Sequence, residues 1–157
     1  MNLDALKDLI LRYVMLTYFV TEDNIGGLNH HLSEQELEQY PPFSKIPEEV
    51  VDEWIVNDLL VAYLTAVEYS RYRQLNNFED YENIDYSEHN FFDQLSQDQK
   101  EGLVFLAFLF GDKLHELRYL KQMLISGDYP EAVIALECSQ ILVDNPTVQT
   151  IIGNLLS

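Results

Sequence analysis

Ser96-Gln97-Asp98-Gln99-Lys100-Glu101-Gly102-Leu103-Val104-Phe105-Leu106-Ala107-Phe108-Leu109-Phe110 is the stretch whose reading decides the fold. Ser96 and Gln99, three residues apart, have the form of a capping box, in which each side chain satisfies a free N–H at a helix start. Leu103 to Phe110 is then apolar without interruption. A helix that is apolar on all sides belongs at the centre of a bundle. It is too short to span a bilayer, which takes about 20 residues. Gly111 can bend or break the helix, and amphipathic spacing resumes at Leu114, Leu117, Leu120 and Leu124.

Flanking signals extend this pattern in both directions. Gly127 suits a helix C-terminus, Pro130 opens a helix over about 130–143, and Asn145-Pro146 separates it from a last one at about 146–156. Toward the N-terminus, Pro47 with Glu48, Glu49, Asp52 and Glu53 opens a long helix over about 47–75. Its stripe is Val51, Ile55, Leu59, Ala62, Ala66 and Tyr69, widened by Trp54, Tyr63 and Val67, and Arg71 and Arg73 suit its end. Ser33 and Glu36 form a second capping box, for a short helix that stops before Pro41-Pro42. A first helix over about 2–20 places Leu3, Leu6, Ile10, Tyr13 and Thr17 on one face, with Asn2 as its cap, and 21–32 reads as a loop around Gly26-Gly27. The expectation is an all-α fold: one domain over 1–157, a bundle of about six helices with no convincing strand.

The charge is lopsided. The 157 residues carry 27 acids against 9 Lys and Arg, a net of −18, yet 47% of them are hydrophobic, enough for a real core. Such a field repels nucleic acid and anionic membrane surfaces and attracts basic proteins. The acids gather between Arg73 and Lys100, where Glu79, Asp80, Glu82, Asp85, Glu88, Asp93 and Asp98 meet no Lys or Arg. Aromatics interleave them: Phe78, Tyr81, Tyr86, Phe91 and Phe92. Acids steer a basic partner and aromatics supply contact energy. Glu79, Asp80, Tyr81, Glu82, Asp85 and Tyr86 are the expected partner-binding residues. The bland alternative is a solvated loop pinned by its aromatics.

Cys138 is the single cysteine, so no internal disulfide forms, and the start MNLDALKDLILRYVML lacks the basic beginning of a signal peptide. Both point to a cytoplasmic protein. Cys138 is expected as a small buried core residue. His30 and His31 sit after the glycine pair, His89 in the acidic stretch, and His115 three residues from Asp112. That spacing can hold a metal, but helical di-iron sites need two Glu-x-x-His motifs and the chain has none. No cofactor, metal ligand or catalytic pair is assigned. Tyr63, Tyr69 and Tyr72, beside Arg71 and Arg73, are the most plausible exposed aromatic cluster.

Gly127-Asp128-Tyr129-Pro130-Glu131-Ala132 resembles the turn between the two helices of a tetratricopeptide repeat. Tyr129 and Ala132 stand at positions where such helices press together, and Leu136 matches a bulky packing position. Ile152-Gly153-Asn154-Leu155 is similar to the small-residue site of a following repeat. Leu120, Ser139 and Pro146 depart from the pattern, and the resemblance covers about 113–157. It implies a helical hairpin at that end and leans toward protein or peptide binding. The leading expectation is a non-enzymatic domain whose acidic surface holds or neutralises a basic protein partner. That profile is similar to bacterial immunity proteins and inhibitors of nucleic-acid enzymes. A tetratricopeptide-like adaptor with a peptide groove is the alternative, and a helical metal protein or enzyme the third.

Overall fold

The computed structural model describes residues 2–73, 88–139 and 146–157. The fold is all-α, with seven α-helices and a few short strands among the described residues. The chain folds as two compact units, Met1–Tyr63 and Leu64–Ser157.

In the first unit α1 spans Leu3–Tyr13 and buries Leu6 and Ile10. The Asn2 side chain caps it, accepting from the backbone N–H groups of Asp4 and Ala5. The helix does not run on to residue 20. Val14 to Val20 is rich in β-branched and aromatic residues, which favour extended backbone, and Leu16–Thr17 forms β1. The expected loop at 21–32 holds β2, Ile25–Leu28, and β3, His30–His31. The three strands make an antiparallel sheet in which Leu16 faces Leu28 and Gly26 faces His30. Gly26 and Gly27 let other side chains lie close on this sheet. A Cβ at Gly26 would sit 2.5 Å from the Ile46 side chain, and one at Gly27 would sit 3.5 Å from both Trp54 and Val51. Helix α2, Glu34–Gln39, begins at Ser33 with the complete capping box. Helix α3 spans Glu48–Tyr69. Within the first unit, Val51, Trp54, Ile55, Leu59 and Ala62 are its buried side chains.

The expected helix over 47–75 therefore stops at Tyr69. Ser70 turns its hydroxyl back to the Ala66 carbonyl at 2.7 Å, a side-chain bond that competes with helix continuation. Arg71–Arg73, expected as the helix end, is instead strand β4 and pairs with β5, Glu88–Asn90. Tyr69 is 1% exposed and Tyr72 half-buried, so the expected exposed tyrosine cluster is not one. Tyr69 donates its hydroxyl to the Leu117 carbonyl, and burial pushes the phenol pKa up.

Helix α4, Gln97–Phe110, starts at the Ser96 capping box. Its segment Gly102–Ala107 is buried throughout, while Phe108 to Phe110 are half-buried. Gly111, at φ +53, ends it, and a 3-10 turn over Gly111–Glu116 leads into α5, Arg118–Ser126. The break at Gly111 makes seven helices where about six are expected. Gly127, left-handed at φ +74, closes α5, and Asp128 caps α6, Tyr129–Glu137. The helix ends short of 143, where the Ser139 hydroxyl bonds the Leu136 carbonyl at 2.8 Å. Cys138, expected in the core, is exposed at this end. Helix α7, Pro146–Leu156, packs on both α4 and α6. Gln99 is buried and donates its amide to the Leu156 carbonyl at 3.4 Å, tying the start of α4 to the end of α7.

The Ser96 cap carries a direct test. Ser96→Ala removes the acceptor of the Gln99 N–H, 3.1 Å away, and should cost about 1 kcal/mol. A fall in melting temperature of roughly 2–4 °C for a chain of this size is the expected reading.

Candidate functional site

Glu79, Asp80, Tyr81, Glu82, Asp85 and Tyr86 lie outside the described residues. Just beyond that stretch, Glu88 is paired: Arg71 binds it and also reaches Glu68 at 2.9 Å, while Arg73 stands 3.5 Å from Glu88. The two arginines hold the Glu88 carboxyl below its usual pKa range. They line a cavity of about 380 Å³ with Glu68, Tyr72, Glu88, His115 and Lys121. Both arginines already pair with carboxylates of the lining, and Lys121 stands over the Tyr69 ring at 5.7 Å.

The most exposed apolar surface of an element in the first unit lies on α3. Asp52, Glu53, Val56, Asn57, Leu60 and Val61 recur every three or four residues, share one face, and are all exposed. Val56 is 52%, Leu60 45% and Val61 61% exposed. The opposite face carries the buried Val51, Trp54, Ile55, Leu59 and Ala62. Apolar residues thus run all round this part of the helix, a pattern usual for a helix covered on every side. Acids stand at one end of the outward stripe and aliphatics along its middle. Only the inner stripe stands out in the sequence. Once apolar residues surround a helix, periodicity alone does not say which stripe turns inward.

Beside the buried face of α3 lies a cluster that no motif announces. His30 from β3 stacks on Trp54 from α3, with ring centroids 4.3 Å apart and planes 18° apart. Its Nδ1 donates to Asp58 Oδ2 of α3 at 2.7 Å, and its Nε2 donates to the Glu36 carboxylate of α2, 3.0 Å from each oxygen. Ionised carboxylates only accept, so holding both bonds at once requires a proton on both ring nitrogens, the imidazolium form. Burial works against that charge, but the hydrogen bonds and charges of Asp58 and Glu36 outweigh it and raise the His30 pKa above 6.5. For Glu36, burial pushes its pKa up, but the Ser33 N–H and His30 outweigh it and hold the carboxyl below 4.5. In that form both nitrogens are committed, and the ring has no free lone pair.

The other candidates stand apart. His115 is exposed on the 3-10 turn, its ring edge-on to Tyr69 at 6.0 Å. Among the described residues, no group of three or more His, Cys, Asp or Glu side chains is arranged to hold a metal ion. The Asp58 and Glu36 carboxylates meet opposite edges of the His30 ring and do not converge on one point. No described helix is long and apolar enough to cross a membrane. The chain matches no protein-family model and no curated protein.

Proposed function

We propose that this protein is a non-enzymatic binding domain that holds a basic protein partner on the outward face of α3. The observation that carries the reading is the face itself: Val56, Leu60 and Val61 exposed, with Asp52 and Glu53 at their edge. An apolar centre with a polar rim is the anatomy of a protein interface. The net charge of −18 speeds the approach of a cationic partner and disfavours an anionic one. The fitting occupant is an amphipathic segment that sets aliphatic side chains on Val56, Leu60 and Val61 and Lys or Arg over Asp52 and Glu53. Neutralising a basic protein, in the manner of an immunity protein or inhibitor, is one use of such a face.

A helical peptide with leucines on one face and lysines at one end provides the probe, with fluorescence anisotropy as the measurement. Its binding is expected to weaken with salt. Asp52→Lys/Glu53→Lys should weaken it about tenfold, roughly 1.4 kcal/mol. Val56→Ser/Leu60→Ser should weaken it by a similar amount without changing the salt slope. The same charge reversal at Glu79 and Asp80 measures what the acidic stretch adds. If Val56→Ser/Leu60→Ser binds as tightly as the unaltered chain, α3 is not the docking face.

A second reading, a tetratricopeptide-like adaptor, is favoured by a groove beside α5 and α6. Its volume is about 390 Å³, and exposed Tyr119 and Ile134 help to line it. Under that reading Tyr119→Ala/Ile134→Ala abolishes peptide binding and the α3 variants do not.

A further inference from the structure

We propose that His30 is a proton-operated clamp: as an imidazolium it fastens β3 and α2 to α3, and on losing its proton it releases α2. This goes beyond the docking face and does not depend on it.

The number of protons on the ring decides how many bonds it can donate. A neutral imidazole has one N–H, and two carboxylates flank this ring at 2.7 and 3.0 Å. After deprotonation one carboxylate keeps a hydrogen bond from a now neutral donor, and the other faces a lone pair. Two charge-assisted bonds are exchanged for one weaker bond and one repulsive contact. The site feels this because the His30 side chain is only 16% exposed.

Two helices meet the ring. Helix α2 presents Glu36, and α3 presents Asp58 and covers one ring face with Trp54; the neighbouring strand β2 pairs Gly26 with His30 along the backbone and brings no charge. Glu36 and Asp58 are the titratable groups that face the ring.

What moves follows from how little else holds α2 beyond Tyr40, its C-terminal cap residue, whose ring stands edge-on to Trp54 at 6.0 Å. The helix is six residues long and has no buried side chain. Its start depends on the Glu36 carboxylate, which accepts the Ser33 N–H at 2.9 Å while also binding His30. Losing the imidazolium therefore acts on the capping box and on the tie to α3 together.

The sign of the pH dependence is fixed by the two opposite shifts. The His30 pKa is raised, so its contribution is complete below pH 6.5 and fades as pH climbs through the raised value. The Glu36 pKa is lowered, so its contribution is complete above 4.5 and fades as pH falls through the lowered value. The clamp is closed between these limits and opens on the alkaline side through His30.

Trp54 is the only tryptophan in the chain, and an imidazolium stacked on an indole quenches its emission by accepting an electron from the excited ring. Emission is titrated from pH 5 to 9, with amide hydrogen exchange of Leu37 and Tyr40 followed in parallel. These two amides donate to the Ser33 and Glu36 carbonyls. Emission is expected to rise with a midpoint above 6.5, and protection of both amides to fall through the same midpoint after correction for base catalysis. His30→Gln should remove the transition. Asp58→Asn and Glu36→Gln keep the ring and should each lower the midpoint by about 1 pH unit, which tests the clamp even if His30→Gln folds poorly. A midpoint at or below 6.5, a transition that persists in His30→Gln, or unchanged protection across the midpoint would each overturn the proposal.

Discussion

Replacing Phe105 by alanine should lower the free energy of unfolding by about 3–5 kcal/mol, a large share of the roughly 5–15 kcal/mol that holds a typical domain together. Phe105 is fully buried in α4, between Val104 and Leu106, which are also fully buried. Truncation removes the transfer energy of the ring and leaves a cavity that this surround can close only in part. Urea denaturation should show an earlier midpoint with the slope unchanged, since the surface exposed on unfolding is nearly the same. Phe110 is an internal control. It is half-buried in the last turn of the same helix, so Phe110→Ala should cost clearly less. Equal losses at both positions would mean that the core is not centred on the first half of the run.

Gly102→Leu should also be damaging, for the opposite reason. Helix propensity alone favours almost any residue over glycine in a helix interior, by up to about 1 kcal/mol. Packing reverses that preference at Gly102. A Cβ there would lie 2.9 Å from the Leu155 Cβ and 3.3 Å from the Leu156 side chain. The Leu155 Cβ is anchored to the backbone and cannot rotate away, so the larger side chain must push α7 off α4. Overpacking of this kind costs about 1–3 kcal/mol or more. Gly102→Ala separates the two effects: a gain in stability would show that α7 yields easily, whereas a loss would confirm close contact. Thermal melts of both variants decide it.

Much of the helical frame is legible in the sequence because its signals are local. Asn2, Ser33, Ser96 and Gly127 each act within a few residues and begin or end helices where expected. The Leu103–Phe110 run marks the core by composition, although only Leu103–Ala107 is buried and Phe108 to Phe110 are half-buried. What the sequence hides is what depends on distant partners. Leu16–Thr17 leaves the first helix because Leu28 and Gly27 wait across the sheet, and Arg71–Arg73 leaves α3 because Glu88–Asn90 pairs with it. The His30 cluster draws its carboxylates from 6 and 28 residues away, with no spacing rule to join them. Cys138 misleads because cysteine's usual burial is weaker evidence than its place at a helix end. The outward stripe of α3 is written in the sequence, but only the surrounding structure selects which side is covered.

The packing of α7 on α4 also sets an order of events during synthesis. Leu103–Phe110 leaves the ribosome before the segment Pro146–Leu156 that packs against it. At about 5–20 residues per second, the most apolar stretch of the chain waits on the order of 2–10 s for its cover. During that interval it is a ready ligand for a chaperone, and any pause in translation after it has emerged and before its cover has emerged lengthens the exposure. Synonymous codon choice in that interval therefore bears on how much of this protein reaches its folded state, though no contact in the finished structure would reveal it.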